Sequence, residues 1–182
     1  MNSQQITQAY ADWCASISPD FYFVLNYKPA QLHRKRGTTK GLSRDVGFEE
    51  LSQQVRKLFY RLEVDEWGYE QRESRWGRKY SRIERIVCIE KADAYHANVL
   101  MKRYGEHTDD ELLNHVRQVW LELQGVNDRW RDEYLFRLED NLIRDIEAVS
   151  LYSNKDTAKA NSNGEDVLCT RASFISKHCN RR

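Results

Sequence analysis

Apolar residues recur along the first third of the chain at spacings that predict a helix, a strand and a second helix. Residues from about Ser3 to Ile17 have apolar side chains three and four positions apart, and Pro19 ends this predicted helix. Phe21 to Lys28 is rich in aromatic and branched residues and predicts a buried strand. Phe48 to Glu63 forms one apolar stripe at helical spacing. The apolar positions of the first predicted helix are Ile6, Ala9, Tyr10, Trp13 and Ile17.

The rest of the chain alternates between the same two periods, except for one stretch without a period. Val64 to Ser81 shows no clear repeat and is predicted to be a loop or a strand extension. Thr108 is a suitable N-cap, and acids follow it in the first turn of a predicted helix. The remaining predicted elements are strands at Arg82–Glu90, Tyr95–Tyr104 and Tyr134–Leu138 and helices at Asp109–Leu123 and Asn141–Tyr152.

This order of elements predicts an α+β fold. Its middle has the βαββαβ order of split-βαβ folds, and an extra N-terminal helix precedes it. Such folds pack their helices mainly on one face of a central antiparallel sheet, so we expect the other face to be open. Residues 1–155 are predicted to form one domain, followed by a polar C-terminal tail at 156–182 that we expect to be mobile.

The cysteines and the apolar runs limit the class of protein. The sequence has no CxxC pair, so it suggests neither a zinc ribbon nor a disulfide framework. It contains no secretory signal and no apolar run of about 18 residues. We therefore expect a cytoplasmic protein without membrane contact. The four cysteines are Cys14, Cys88, Cys169 and Cys179.

Charge is unevenly distributed in a chain whose net charge is only +1. Glu106 to Glu147 has twelve acidic residues against five arginines, whereas the loop from Lys28 to Arg44 has no acid. A polyanion-binding loop and a solvated insertion both fit the basic stretch, and the contrast between the two stretches favours contact with nucleic acid. The cations of the basic loop are Lys28, Arg34, Lys35, Arg36, Lys40 and Arg44.

The predicted hairpin brings together three side chains that can bind a metal. Alternate residues of a strand share a face, so His96 and Asn98 point away from the apolar side. Glu90 joins them if five residues connect the strands, because it then pairs with His96; a four-residue connection pairs it with Tyr95 instead. An imidazole, a carboxylate and an amide oxygen suit Mg²⁺ or Mn²⁺. The alternative is a surface His and Asn on an exposed strand.

Near the end of the last predicted helix, Tyr152 and Lys155 are three residues apart and share a face if the helix extends that far. A tyrosine hydroxyl needs a nearby cation or metal to act as a nucleophile, and Lys155 can provide that charge. The structural alternative is a partly buried tyrosine beside a solvated lysine.

Aromatic and basic side chains are interleaved between residues 67 and 82. This composition fits a surface on which single-stranded bases stack while the cations contact phosphates. The alternative is that Trp67 and Trp76 cover the edge of the core. The residues in this predicted stacking surface are Trp67, Tyr69, Arg72, Arg75, Trp76, Arg78, Lys79, Tyr80 and Arg82.

Taken in order, these motifs resemble those of the HUH-type single-strand DNA endonucleases, which include rolling-circle replication initiators, relaxases and related transposases. The matching stretches are FYFVLNY at Phe21–Tyr27, IEKADAYHANVLM at Ile89–Met101 and LYSNK at Leu151–Lys155. The second His of the family's His-x-His motif is Asn98 here. Some circovirus-like initiators resemble this pattern, with Gln at that position.

The resemblance assigns a role to each motif. It implies that Glu90, His96 and Asn98 hold a divalent metal that polarises the scissile phosphate. It implies that Tyr152 attacks this phosphate, with Lys155 in support, and remains joined to the 5′ phosphate of the nicked strand. No Walker A motif follows, so we expect no helicase domain.

The function implied by the resemblance is metal-dependent nicking and joining of single-stranded DNA, which initiates rolling-circle-type replication of a plasmid, phage or phage satellite. The implied partners are single-stranded or hairpin DNA at a replication origin and the host helicase and polymerase. One alternative is a non-catalytic origin- or hairpin-binding protein of the same fold, and another is a transposase-like member of the superfamily. The last is an RNA-binding module, since split-βαβ sheets also stack RNA bases.

Overall fold

The computed structural model of the protein describes residues 3–27, 47–91, 95–125, 135–138, 169 and 171–175. Within these ranges the chain alternates between helices and strands. Of the predicted helices, the one at Asp109–Leu123 has the same bounds in the structure. The helices are α1 (Ser3–Ser16), α2 (Phe48–Trp67), α3 (Tyr69–Glu73), α4 (Gly77–Tyr80) and α5 (Asp109–Leu123). The strands are β1 (Phe21–Asn26), β2 (Arg85–Lys91), β3 (Tyr95–Met101) and β4 (Phe136–Leu138).

The described strands form one antiparallel sheet in the order β2-β3-β1-β4. Strand β1 pairs with β3 on one side and with β4 on the other, and β2 pairs with β3 at the opposite edge. Helix α2 follows β1 and helix α5 follows β3 along the chain. The predicted mixed α+β architecture with a central antiparallel sheet is therefore confirmed.

Helices α2 and α5 cover one face of this sheet. The apolar stripe predicted for α2 is buried there, with Leu51, Val55 and Leu58 all inaccessible to solvent. Trp120 of α5 is also fully buried, and its indole nitrogen donates to the backbone oxygen of Leu135 at 3.0 Å. This bond ties the start of the β4 segment to α5, because a buried indole N–H needs an acceptor.

Helix α1 packs against the opposite face, which the sequence predicted to be open. Cys14 and Ile17 are buried in a second apolar cluster with side chains of β1, β2 and β3. The predicted apolar stripe of α1 is confirmed only in part, because Ile17 is buried whereas Ala9 is exposed and 37% of Trp13 is exposed. The side of the helix that meets the sheet presents Ala11 and Cys14 instead, small residues that allow close approach of the helix.

The stretch from Val64 to Ser81, predicted as a loop or strand extension, is largely helical. Helix α2 continues to Trp67 and ends at Gly68, whose φ of 78° lies in the left-handed region. Helices α3 and α4 follow, and a Cβ on Gly77 would collide with the backbone carbonyl of Gln71. Short helices of this kind carry too few residues to show a period, which explains the missed prediction.

The segment at 169–175 closes the outer edge of β2. The amide of Arg85 donates to the Phe174 carbonyl at 2.8 Å, and the Phe174 amide returns a bond of 2.8 Å to Arg85. The Cys169 amide donates to the Val87 carbonyl at 2.9 Å. Cys169 and Ala172 are buried in the main core. These residues fall within the predicted tail at 156–182, and they pack against the edge of β2 through an isolated bridge between Arg85 and Phe174.

Candidate functional site

Three strands meet in one row of polar side chains at the end of the sheet. Glu90 of β2 is directly opposite His96 of β3, and Asn26 of β1 is opposite His96 on the other side. The register on which the predicted site depended is thus the one that pairs Glu90 with His96. The Nε2 atom of His96 lies 3.4 Å from Oε2 of Glu90. Glu90 is buried, whereas 19% of the His96 side chain is exposed.

Asn98 occupies the next row towards the middle of the sheet, between Cys88 and Val24. It shares a face with His96 because the two are separated by one residue. Only 1% of Asn98 is exposed, and its Oδ1 accepts a hydrogen bond of 2.9 Å from the Tyr22 hydroxyl. Its Nδ2 is buried and has no hydrogen-bond partner in the described part of the chain.

The orientation of the Asn98 amide decides which of its atoms is available to a ligand. A rotation of the amide by 180° lets Nδ2 donate to the Tyr22 hydroxyl, which accepts as readily as it donates. Oδ1 then takes the position of the amino group that has no partner. An orphaned buried donor is costly, and the rotation removes that cost by giving Nδ2 an acceptor, while a bound cation would satisfy the oxygen that is left. With the amide rotated, Glu90, His96 and Asn98 would offer a divalent ion one carboxylate, one imidazole nitrogen and one amide oxygen.

Helix α1 limits access to this site from above. Cys14 and Ile17 pack beside Cys88 and Val24, so the row that contains Asn98 is covered. The row that contains His96 is less covered, because His96 and Asn26 are only partly buried. Among the described residues, the open face predicted from the sequence is therefore restricted to the His96 end of the sheet.

The Cys88 thiol beside Asn98 is not prepared to bind a metal. A hydrogen bond with Cys14, together with burial, raises the pKa of the Cys88 thiol well above its usual range. A neutral thiol is a poor metal ligand because the thiolate is the coordinating form. The described residues contain no group of three or more His, Cys, Asp or Glu side chains that could hold a metal ion. Among the described residues, a metal site here would therefore need the amide of Asn98.

The predicted stacking surface divides into a core half and an exposed half. Trp67 is partly buried against the main core, with its ring 6.2 Å from that of Tyr104, so it follows the alternative in which it covers the core edge. Trp76 is 68% exposed and stacks on Tyr80 with ring centroids 6.1 Å apart. The Lys79 ammonium lies over the Tyr80 ring at 4.9 Å.

The exposed half therefore has the composition expected of a base-stacking surface. Arg75 and Arg78 are also exposed and flank Trp76 along the chain. An exposed tryptophan and tyrosine with cations beside them offer both stacking faces and phosphate contacts. Trp67 is the one tryptophan of the predicted set whose ring is turned towards the core.

The remaining predicted site residues lie outside the described residues. This applies to the proposed nucleophile and its supporting lysine, Tyr152 and Lys155, and to the whole basic loop. The loop residues concerned are Lys28, Arg34, Lys35, Arg36, Lys40 and Arg44.

Two residues of the site were not predicted from the sequence. Tyr22 contacts the Asn98 amide, and Asn26 continues the polar row beyond His96. The sequence contains a signal that could have identified both residues. Alternate positions of β1 share a face, and large apolar residues alternate with Tyr22, Val24 and Asn26. The cover provided by α1 has no comparable signal, since its contacts depend on the tertiary position of the helix.

Comparison with known proteins gives no match: no family model, curated protein or solved structure is similar to this chain. The helices among the described residues are all too short or too polar to cross a membrane.

Proposed function

We propose that the protein nicks and rejoins single-stranded DNA through a covalent 5′-phosphotyrosine and so initiates replication of the rolling-circle type. The observation that carries the proposal is the pairing of Glu90 with His96, at 3.4 Å between Oε2 and Nε2, with Asn98 on the same face of the sheet. The strand order β2-β3-β1-β4, with α2 after β1 and α5 after β3, supports a split-βαβ topology, the fold we expect for this function.

Glu90, His96 and Asn98 would hold Mg²⁺ or Mn²⁺, with Asn98 binding through its rotated amide oxygen. Hard divalent ions prefer oxygen ligands and accept an imidazole. When bound, the ion supplies positive charge that stabilises the scissile phosphate during attack. Glu90 carries the negative charge of the set, and its buried position makes that charge more effective than an exposed carboxylate.

In this proposal Tyr152 forms the bond that defines the activity. Its phenolate oxygen attacks the phosphorus, an oxygen–phosphorus bond forms, and the bond from phosphorus to the 3′ oxygen breaks. The 3′ oxygen takes up a proton and leaves as a hydroxyl. The number of phosphodiester bonds is conserved, so the same site rejoins the strand in the reverse reaction. Lys155 supports the developing negative charge.

A test of the proposal uses single-stranded oligonucleotides that tile the DNA flanking the coding sequence of the protein. With Mn²⁺ present, a 3′ label should stay with the protein through denaturing electrophoresis. A 5′ label should leave on a fragment that a polymerase can extend. Tyr152→Phe should remove the adduct and retain binding, because only the hydroxyl is lost. Tyr134→Phe is the matched control and should behave like wild type.

The outcomes of this experiment separate the possibilities. An adduct that persists in Tyr152→Phe would move the nucleophile to another tyrosine, with Tyr134 the next to test. A wild-type protein that forms no adduct on any tile, with Mn²⁺ or Mg²⁺, would contradict the proposal.

A second candidate function is binding of origin or hairpin DNA without cleavage. It is favoured by the burial of Asn98 and by the bond from the Tyr22 hydroxyl to its amide oxygen, which is the atom a metal would need. Mn²⁺ separates the two candidates, because an ion that binds only the folded protein raises its melting temperature. The nickase proposal expects this shift, its loss in His96→Ala, and a larger shift in Tyr22→Phe. A melting temperature indifferent to millimolar Mn²⁺ favours the second candidate.

Both candidates use the basic loop to bind DNA. Replacing Arg34, Lys35 and Arg36 together should weaken binding and flatten its salt dependence. Each phosphate that the protein no longer neutralises changes the slope of log affinity against log salt by about 0.7 for a single strand. Unchanged binding at low salt would show that the loop takes no part.

A further inference from the structure

A second polar region lies beside α2, on the face of the sheet that this helix covers. It is a groove of about 810 Å³ bounded by one face of α2, by α3, by the start of β2 and by the 169–175 segment. Its walls contain seven cationic side chains, and the described residues that line it include no acid. These cations are Arg56, Lys57, Arg61, Arg72, Arg82, Arg85 and Arg171.

The cations outnumber the carboxylates that contact them. In the described part of the chain, four carboxylates lie within ion-pair distance of the seven, and two of these pairs are exposed at the rim. Exposed pairs of this kind neutralise little, since water and salt screen them. A groove with this charge excess attracts anions. The four carboxylates are Glu49, Glu63, Glu73 and Glu122.

The floor of the groove is built around a buried carboxylate that holds several arginines at once. Glu63 is fully buried and accepts hydrogen bonds from Arg85 Nη1 at 2.7 Å and from Arg72 Nε at 2.8 Å. Arg82 Nε is 3.8 Å from the same carboxylate, too far for a hydrogen bond. One negative charge thus accepts hydrogen bonds from two guanidinium groups, lies within ion-pair distance of a third, and cannot neutralise them all.

Arg82 retains an unused donor in this arrangement. Its Nε is buried and has no hydrogen-bond partner in the described part of the chain, while its guanidinium stacks over the Phe174 ring at 4.1 Å. Burial lowers the pKa of Arg82; the Glu63 carboxylate raises it, and the nearby charges of Arg72 and Arg56 lower it. A bound anion would satisfy the donor and relieve this repulsion.

The remaining wall adds exposed cations and an aromatic ring. Arg56, Lys57 and Tyr60 are exposed, and they recur on α2 at the three-and-four spacing of one helix face. One side of the Tyr60 ring carries the Arg72 guanidinium at 5.0 Å. Several N–H donors converging beside an aromatic surface are suited to phosphate, which accepts from many donors at once, rather than to a single carboxylate.

We propose that this groove binds phosphate esters, with the phosphate held by Arg56, Lys57 and Arg82. The phosphate comes either from a free nucleotide or from the backbone of a nucleic-acid strand. The two sources present the same anion to the same donors. The groove lies on the α2 side of the molecule, away from Glu90 and His96, so this inference does not depend on the proposed nicking activity.

The test measures binding by the full chain in EDTA at constant ionic strength, so that neither metal nor cleavage contributes. The probes are sodium pyrophosphate, adenosine triphosphate and a twelve-nucleotide oligothymidylate. Arg56→Glu combined with Lys57→Glu should weaken binding by roughly tenfold or more, because hydrogen bonds between charged groups are the strong class. Both residues are exposed, so the fold should be retained, and circular dichroism checks this.

The matched control is Lys102→Glu combined with Arg103→Glu, which makes the same change in net charge at the end of β3. It should bind every probe like wild type. If the α2 variant loses binding of pyrophosphate and nucleotide while the control variant retains it, the result supports a free phosphate ester as the ligand. Loss of oligonucleotide binding alone supports a strand backbone. The proposal is overturned if no probe binds wild type, if the α2 variant binds like wild type, or if both variants lose binding equally.

Discussion

Among the polar groups that the structure describes, the cluster around Glu63 should be the one whose substitution most lowers the free energy of unfolding. Glu63→Gln removes the one negative charge beneath three arginines and replaces Oε2, which accepts from Arg72 at 2.8 Å, with an amino group that can only donate. Arg85 is 2% exposed and would keep its charge without the carboxylate. Breaking a buried pair in this way costs about 3–5 kcal/mol.

Hydrogen bonds from Arg85 to backbone carbonyls remain in Glu63→Gln and limit the loss of stability. Arg85 still donates from Nε to the Ala172 carbonyl at 2.8 Å and from Nη1 to the Ile83 carbonyl at 2.7 Å, so its side chain stays hydrogen-bonded. The loss is therefore electrostatic, and we expect the lower half of the range. A loss of about 3 kcal/mol lowers the melting temperature of a chain of this size by roughly 6–12 °C.

Urea unfolding of wild type and Glu63→Gln measures this free energy from the midpoint and the slope. Glu49→Gln is the matched control on the same helix, because Glu49 pairs with Arg171 at 2.9 Å in an exposed position. The free energy of unfolding of Glu49→Gln should be lower than that of wild type by less than about 1 kcal/mol. Equal losses in the two variants would refute the reasoning. In a Glu63→Met background, Arg85→Met should restore part of the stability, since the buried charge is then gone.

Three further predictions concern single positions. Thr108→Ala should cost about 1 kcal/mol in urea unfolding, because Thr108 and Glu111 form a reciprocal capping box at the start of α5; no change would show that the cap contributes nothing. Tyr104→Phe should be neutral or stabilising at neutral pH, since the Tyr104 hydroxyl is buried without a hydrogen-bond partner among the described residues. Burial also raises the pKa of Tyr104 above its usual value of 10.0. As the pH rises, the Tyr104 hydroxyl therefore loses its proton in the unfolded chain before it does so in the folded protein, and the free energy of unfolding of wild type should fall above about pH 10. The free energy of unfolding of Tyr104→Phe should fall less steeply, and identical pH profiles of the two proteins would contradict this. Gly77→Ala should disrupt the packing of α3 against α4, because the alanine Cβ would collide with the Gln71 carbonyl. The hydrogen-exchange protection of these two helices should drop, while that of the sheet is retained.

Elements set by local pattern were predictable from the sequence. The apolar stripe of α2 and the bounds of α5 follow from spacing and capping, and both are as predicted. The pairing of Glu90 with His96 was one of two registers that the sequence left open, because the length of the hairpin connection decides between them, and the structure has the register that pairs these two residues. These features depend on residues near one another in the chain, so one sequence contains the information for them.

Elements that depend on distant contacts were not predictable. The face of α1 that packs on the sheet is chosen by the side chains it meets, so the apolar Ala9 and Trp13 face solvent while Cys14 is buried. A glutamate in α2 is expected to face solvent, and the burial of Glu63 is explained by its hydrogen bonds from Arg72 and from Arg85, which is 22 residues away. The bond from Tyr22 to Asn98 joins residues 76 positions apart, and it decides whether the amide oxygen is free to bind a metal.

The closure of β2 by the 169–175 segment has a consequence for the order of synthesis. The residues that cap this edge follow Arg85 by more than eighty positions, as in the bond from Arg85 Nε to Ala172, which spans 87. While the chain emerges from the ribosome, β2 and β3 can pair early. The hydrogen-bonding groups on the outer edge of β2 stay unpaired until nearly half of the chain has been added after them. During that interval an unpaired strand edge is exposed. A nascent chain stalled before Cys169 should therefore associate with other chains or with chaperones through β2.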